Sequence, residues 1–171
     1  PSIFKIVHNE SELKSIAQAV DIINAGEGDI LMKGLCSTDK YMRAILKKEG
    51  GLLPPKAVLS HVAVLESPHY HKLMIISDMA VIPAPDLKQK EAITKYVVNT
   101  AKALQIEKPK VAFIAATEQM LPGMQACVDA AILAKMVDRG QIPGCVADGP
   151  LALDVAVSKE AVAIKKLKSE V

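Results

Sequence analysis

The spacing of apolar residues changes along the chain between helical periodicity and short continuous runs, an alternation that is typical of α/β proteins. Residues 13–23 carry apolar side chains at helical spacing, with Ser11 before them as a cap and Gly26 after them as a stop. Two short apolar runs, 4–7 and 30–33, flank this segment and predict strands. We therefore expect a βαβ unit with a right-handed crossover at the start of the chain.

A second α/β region follows the strongest break in the sequence, Gly-Gly-Leu-Leu-Pro-Pro at 50–55. The apolar runs 57–65 and 73–76 are too close in sequence for a helical crossover, so they predict an antiparallel pair. Asp86 caps the next helix, and Gln89 completes a capping box. The pattern then predicts a strand at 110–116, a helix at 124–137, a strand at 145–148 that ends at Gly149-Pro150, and a helix at 158–167.

The break at 50–55 predicts two domains. Residues 1–55 then form part of a first α/β domain, which includes a helix over 38–48, and residues 56–171 form most of a second.

The composition bears on whether the protein binds nucleic acid or a membrane and on the compartment in which it is found. Half of the 171 residues are hydrophobic but only 3% are aromatic, and the formal net charge is +2. A chain with no concentrated basic character and few stacking side chains is not expected to bind nucleic acid. No apolar run reaches the ~18–20 residues of a membrane span, and three widely spaced cysteines favour a reducing compartment, so we expect a cytoplasmic protein with no membrane partner.

The junction at 29–43 has the pattern of a strand, a tight turn and a helix start. Lys33 and Gly34 lie at the end of the predicted strand, Ser37 or Thr38 can cap the helix, and Arg43 lies further along it. Helix starts attract anions, and open α/β sheets bind ligands beyond the carboxyl ends of their strands. We interpret the junction as a phosphate or phosphoester site; an ordinary capped βα unit is the alternative.

Three aspartates are candidates for chemistry in the second half. Asp78 and Asp148 end predicted strands, where α/β sheets carry their sites, whereas Asp86 most simply caps a helix. Converging carboxylates are also the ligands of a divalent metal site, and this alternative stays open.

Two other features are weaker candidates. His69 and His71 flank Tyr70 in a predicted loop, and no third metal ligand lies near them in sequence. Cys36 lies in the suspected anion site, where a thiol could attack a thioester, but it has no local histidine partner. We expect neither a metal site at the histidines nor a nucleophile at the cysteine.

Four segments together carry a more specific pattern. They are DILMKGLxST at 29–38, LSHVAVLE at 59–66, APDLxQK at 84–90 and DGPLALD at 148–154. In this order they resemble the phosphate acetyl/butyryl transferase family, and the butyryl branch most closely. The resemblance implies transfer of a short-chain acyl group between CoA and inorganic phosphate. It also implies a three-layer α/β/α fold, similar to isocitrate and isopropylmalate dehydrogenases, with two domains and an interdomain cleft.

The resemblance also implies roles for particular residues. The expected phosphate- or CoA-binding residues are Lys33, Gly34, Ser37, Thr38 and Arg43. The expected catalytic residues are Ser60, Asp78 and Asp148. Phosphate, held by basic groups and helix N–H donors, would attack the thioester carbonyl without a covalent enzyme intermediate. CoA is then a substrate, no metal or other cofactor is needed, the partners are acyl-CoA and inorganic phosphate, and the protein is expected to form homo-oligomers.

The chain departs from the family in ways that affect its activity. Family members are longer at both ends, and a C-terminal Ser-Arg motif that carries much of their catalysis has no counterpart here; Ile82 stands where asparagine is common. We therefore expect a truncated chain that is inactive alone. The alternatives are a non-catalytic CoA- or nucleotide-binding module and a metal-dependent dehydrogenase on the same fold.

Overall fold

The computed structural model describes residues 3–171. Its backbone divides into two compact units, Pro1–Ala57 and Val58–Val171. The described residues form a mixed α/β fold of helices and two small sheets. No helix within residues 3–171 is long and apolar enough to cross a membrane.

The described part of the first unit is built on two helices, α1 (Glu12–Asn24) and α2 (Thr38–Ile45). Ser11 caps α1 as predicted, because its side chain accepts a hydrogen bond from the Lys14 N–H. The buried residues of α1, Ile16 and Val20, lie one turn apart on a single face.

The strands predicted at 4–7 and 30–33 are wrong. Both segments are irregular, and no strand of residues 3–171 pairs with either of them. A strand needs a neighbour to accept and donate its backbone hydrogen bonds. Without one, Ile6, Ile30 and Met32 remain 84–85% exposed.

The second unit contains eight elements. In chain order these are β1 (Ala63–Ser67), β2 (Tyr70–Ile76), α3 (Leu87–Ala103), β3 (Lys110–Ile114), α4 (Gln125–Asp138), β4 (Val146–Leu151), α5 (Leu153–Val157) and α6 (Lys159–Lys165). The short helix α5 was not predicted, since five residues are too few to show helical periodicity.

The hairpin and the capping box are confirmed. β1 and β2 pair antiparallel, with Ala63 opposite Ile76 and Leu65 opposite Met74. At the start of α3, Asp86 Oδ1 accepts from the Gln89 N–H at 2.8 Å, and Gln89 Oε1 accepts from the Asp86 N–H at 2.9 Å. Reciprocal bonds of this kind satisfy two backbone donors at the helix start.

β3 and β4 form a parallel pair that continues past the point where the sequence pattern placed its end. Lys110 lies opposite Val146 and Ala112 opposite Asp148, and after a register shift Ile114 lies opposite Leu151. The shift accommodates Gly149-Pro150, a cis peptide bond, inside the strand. Because proline cannot donate to a ladder, an irregularity is where a strand tolerates it. The predicted strand end at Gly149-Pro150 is therefore wrong.

The core of the second unit lies where α4 packs on β3 and β4. Its most deeply buried side chains are Cys127, Leu133 and Ile142, each at most 1% exposed. Gly149 has no side chain, so β4 approaches both its neighbours closely at this position. A Cβ added there would lie 2.6 Å from Phe113 Cβ and 3.1 Å from Ala130 Cβ.

We expect Gly149→Ala to lower the free energy of unfolding by about 1–3 kcal/mol, because the added methyl group has no space between β3 and α4. The control is Gly123→Ala, where an added Cβ meets nothing within 4 Å. That variant should be as stable as the wild type or slightly more stable. Urea unfolding of the two variants compares them directly, and equal stabilities would show that the close approach at Gly149 is relaxed in solution.

Candidate functional site

The start of α2, the predicted anion site, already holds a carboxylate of the chain. Ser37 is the N-cap residue, but its side chain makes no capping hydrogen bond. Instead, the Ser37 N–H donates to Glu12 Oε1 at 2.8 Å, and the Lys40 ammonium pairs with the other oxygen of the same carboxylate. These hydrogen bonds, that of Lys40 first and that of Ser37 second, lower the pKa of Glu12. The start of α2 therefore surrounds a negative charge with donors, and in this chain Glu12 supplies that charge.

The other predicted anion-binding residues do not all converge on this point. Lys33 Nζ donates to the carbonyl oxygen of its neighbour Gly34 at 3.5 Å. Arg43 lies in the last turn of α2, about 9 Å along the axis from Ser37. There it forms an exposed ion pair with Asp39 at 3.0 Å. The structure thus joins Ser37 to Glu12 and Lys40, two residues that the sequence interpretation did not select.

Asp78 is the centre of a hydrogen-bond network in the second unit. Its Oδ1 accepts from the Ala80 and Val81 N–H groups, both at 2.8 Å, and its Oδ2 accepts from the His61 N–H at 3.1 Å. The carboxylate therefore ties the turn after β2 to the segment before β1. Two of the predicted catalytic residues, Ser60 and Asp78, are brought together here.

The directions of the hydrogen bonds made by the two serine hydroxyls beside Asp78 can be assigned. Ser77 Oγ donates its one proton to the His61 carbonyl oxygen at 2.7 Å. In the 3.0 Å contact between Ser60 Oγ and Ser77 Oγ, Ser60 must then be the donor. The Ser60 hydroxyl also interacts with the Asp78 carboxylate. Ser60 thus has one proton and two acceptors, a hydroxyl that a small rotation can reorient.

The electrostatics of Asp78 favour the ionised form. Burial opposes ionisation and is the largest single influence on its pKa. The hydrogen bonds from Val81, Ala80, His61 and Ser60 outweigh it together, and they hold the pKa well below its ordinary range. A carboxylate so well solvated by fixed donors is a weak base, so its chemistry is to anchor and orient rather than to accept a proton.

Asp148 lies apart from this network. It is half-buried on β4, and its Oδ1 accepts from the Gly149 N–H at 2.8 Å. Within residues 3–171, no hydrogen bond connects it to Ser60 or Asp78. No group of three or more His, Cys, Asp or Glu side chains there could hold a metal ion. The described residues do not bring Asp78, Asp86 and Asp148 together, and the Asp86 side chain caps α3.

Sequence reasoning missed a buried charged cluster between α3 and α4. Asp129 is 3% exposed, and its carboxylate accepts from Lys90 Nζ at 2.6 Å and from Gln125 Nε2 at 2.8 Å. Burial opposes ionisation of Asp129, but the Lys90 and Gln125 hydrogen bonds lower its pKa overall. The available signal was an aspartate on the apolar side of the helix predicted at 124–137, with glutamine one turn before it.

Comparison with known proteins places these features in a family. The family model described as phosphate acetyl/butaryl transferase matches residues 2–171. The chain belongs to this family. Its relatives carry the names of phosphate acyltransferases of two kinds, butyryl and acetyl, and the resemblance of the four sequence segments is confirmed.

Individual family members match almost the whole chain. It is 45% identical over 168 residues to phosphate butyryltransferase of Clostridium acetobutylicum. The matched region covers 98% of this chain and 56% of that protein. It is 41% identical over 153 residues to phosphate acetyltransferase of Thermotoga maritima, covering 90% of this chain and 52% of that protein. The chain therefore spans about half the length of these relatives.

A solved structure agrees with the fold. A branched-chain phosphotransacylase from Enterococcus faecalis V583 superposes with a TM-score of 0.88 at 32% identity. The match covers 99% of this chain and 60% of that one. The 171-residue chain thus has the fold of the matched part of a longer phosphotransacylase.

We expect Asp78→Asn to destabilise the protein near neutral pH, because an amide cannot accept all the hydrogen bonds that the carboxylate accepts. The folded pKa is lowered, so the unfolded chain binds more protons between that pKa and the ordinary value of 3.8. The stability difference between wild type and variant should be complete above about pH 5 and shrink as the pH falls below the ordinary value.

Urea unfolding at pH 7, 5, 4 and 3 measures this difference. Asp138→Asn is the control, because Asp138 is an exposed partner of Lys135 one turn away and should change stability little. A difference for Asp78→Asn that stays constant from pH 7 to pH 3 would contradict the assignment of the network.

Proposed function

We propose that the whole protein transfers a short-chain acyl group between CoA and inorganic phosphate, with butyryl-CoA and phosphate giving butyryl phosphate and CoA. The observation that carries this proposal is the family match over residues 2–171, together with 45% identity to a phosphate butyryltransferase. The acetyl branch matches almost as well, so the acyl chain length is the part of the proposal that experiment must decide.

In the proposed reaction the first unit binds anions and the second orients polar groups. Phosphate or a CoA phosphate binds at Lys33, Gly34, Ser37, Thr38 and Arg43. Such binding is supported by the N–H group and ammonium that already hold Glu12 at the start of α2. A bound hydrogen phosphate oxygen attacks the thioester carbonyl and forms the new carbon–oxygen bond. The carbon–sulfur bond then breaks, and the proton that the phosphate carried passes to the CoA sulfur, which leaves as the thiol.

Ser60, Asp78 and Asp148 are the proposed catalytic residues of the second unit. Asp78 keeps Ser60 at a fixed place, and the Ser60 hydroxyl, which has two alternative acceptors, can turn to donate to a developing oxyanion. Asp148 retains one carboxylate oxygen that the Gly149 N–H does not use. No step needs a metal or a further cofactor.

The remaining expectations extend this proposal to the whole protein. We propose two domains, with residues 1–55 part of the first and residues 56–171 most of the second. The whole protein would have a three-layer α/β/α fold with an interdomain cleft, similar to isocitrate and isopropylmalate dehydrogenases. We also propose that it forms homo-oligomers and is cytoplasmic. The 171 residues alone are proposed to be inactive, since they span 56% of the butyryltransferase that they match. No specific observation favours the binding-module or dehydrogenase alternatives.

Phosphate-dependent release of CoA thiol from butyryl-CoA and acetyl-CoA tests the activity in the whole protein. Lys33→Ala and Arg43→Ala should each raise KM for phosphate or CoA about 10-fold, the loss of one charge-assisted contact. Lys47→Ala, which removes an exposed charge after α2, should leave KM unchanged. An intact protein that releases no thiol from any short acyl-CoA would instead identify a binding module.

Glu12→Gln gives an opposite expectation at the same site. Removing the carboxylate charge frees the Lys40 ammonium and the α2 start for an external anion, so KM for phosphate should fall several-fold. Glu10→Gln, an exposed change two residues earlier, serves as the matched control. A KM for phosphate that rises equally in both variants would show that phosphate does not bind at the start of α2.

A further inference from the structure

A groove of about 740 Å³ lies beside the turn of the β1–β2 hairpin. One of its walls is the hairpin between Ser67 and Met74, and the other is the corner where α5 ends and α6 begins. Both walls belong to the unit Val58–Val171. The volume falls within the range of about 300–1,000 Å³ in which proteins hold small molecules. We call this space the hairpin groove.

The basic side chains of the hairpin groove come from both walls. The structure places His69 in the hairpin turn and His71 in β2, and Lys159 is the first residue of α6. All three line the groove. Residues two apart in an extended chain direct their side chains to the same face, so both histidines can reach it. Because an ammonium has three N–H donors and an imidazole at least one, the two walls offer donors to a shared space.

These basic side chains have no partner of their own. Within residues 3–171, the side chains of His69, His71 and Lys159 form no hydrogen bond or ion pair. The His71 ring lies beside that of Tyr70, with 5.1 Å between the ring centroids. Among the described residues that line the hairpin groove, none is Asp or Glu. The groove therefore offers donors and positive charge without an internal counter-charge.

Two serine hydroxyls add donors on opposite walls. Ser67 Oγ accepts from the His69 N–H at 3.3 Å, and Ser158 Oγ accepts from the Ala161 N–H at 3.3 Å as the cap of α6. The serine is the acceptor in both bonds, so each hydroxyl keeps its own proton for a further acceptor. The accepted hydrogen bonds also restrict where the two oxygen atoms can lie before a ligand binds.

The rest of the lining is apolar. Met74 lies on the hairpin wall, and Leu153 and Val157 lie on the α5 wall. Leu153 is 62% exposed and Val157 is 39% exposed, so this apolar surface is still open to solvent. Helix α5 is nevertheless anchored, because Val155 between them is only 3% exposed. Apolar surface beside a few converging polar groups is the usual composition of a small-molecule site.

We propose that the hairpin groove binds a small organic anion, a carboxylate or phosphate group that carries a short aliphatic chain. Lys159, His69 and His71 hold the anionic oxygens, and the aliphatic chain lies against Leu153 and Val157. None of these residues is among those proposed for acyl transfer. The site is therefore an additional one, and the inference does not depend on the proposed reaction.

A residue-resolved NMR titration of the whole protein tests the site with n-butyl phosphate, hexanoate and inorganic phosphate. The amide signals of His69, His71 and Lys159 report on the hairpin groove, whereas those of Ser37 and Lys40 report on the start of α2. We expect n-butyl phosphate or hexanoate to bind in the groove at least about 10-fold more tightly than inorganic phosphate, because only these two probes bury a hydrocarbon chain. The one that binds more tightly identifies the preferred anionic group.

Three variants test which side chains hold the anion. His69→Ala and Lys159→Ala should each weaken binding in the groove about 10-fold, the loss of one charge-assisted contact. Both residues are exposed, so both variants should fold, and their amide spectra show whether they do. Lys88→Ala is the matched control, because Lys88 is an exposed lysine at the start of α3 that does not line the groove. It should leave the affinity unchanged.

Three results would overturn the proposal. Groove signals that do not move with any probe at about 10 mM would show that no anion of this kind binds there. Equal affinities for inorganic phosphate and for both chain-bearing probes would show that the apolar wall contributes nothing. Equal weakening by Lys88→Ala and Lys159→Ala would show that general charge attracts the probes, and not the groove.

Discussion

The parallel pairing of β3 with β4 under helix α4 is the interaction on which the rest of Val58–Val171 depends. It places the most deeply buried side chains, Leu133 and Ile142, in one core, and it requires Gly149 where β4 meets Phe113 and Ala130. Since α5 follows β4 almost directly in the chain, the pair also holds in place the α5 wall of the hairpin groove. A pre-ordered wall can bind a ligand at little further entropic cost.

Both candidate sites use carboxylates whose hydrogen bonds are already satisfied. Glu12 accepts from a helix-start N–H and a lysine, and Asp78 accepts from three backbone N–H groups. Fixed donors lower the pKa of each group, so both are anions across the physiological range. The consequences differ. At Glu12 the same donors are available to an external phosphate in competition, whereas at Asp78 they are tied to the turn and leave only the Ser60 hydroxyl to respond to a substrate.

Several local signals were read correctly from the sequence, whereas the pairing of the two strands predicted in the first unit was not. The Ser11 cap, the Asp86–Gln89 capping box and the β1–β2 hairpin depend on residues close in the chain, and all three are confirmed. The strands at 4–7 and 30–33 depend on partners far away in sequence, and the structure pairs neither within residues 3–171. The same distinction explains Ser37, because the group that satisfies its N–H belongs to Glu12, 25 residues earlier.

The sequence by itself determined the family, through four segments whose residues need no structure to be recognised. It also determined every helix except the five-residue α5, because the hydrogen bonds of a helix close within one turn. The tertiary structure alone decided that Glu12 meets the donors at the start of α2, that β4 continues through Gly149-Pro150, and that Lys90 and Asp129 neutralise each other between α3 and α4. It also placed the turn of the β1–β2 hairpin beside α5 and α6. Each of these depends on atoms brought together from distant positions in the chain, and hydrophobic periodicity carries no information about such pairings.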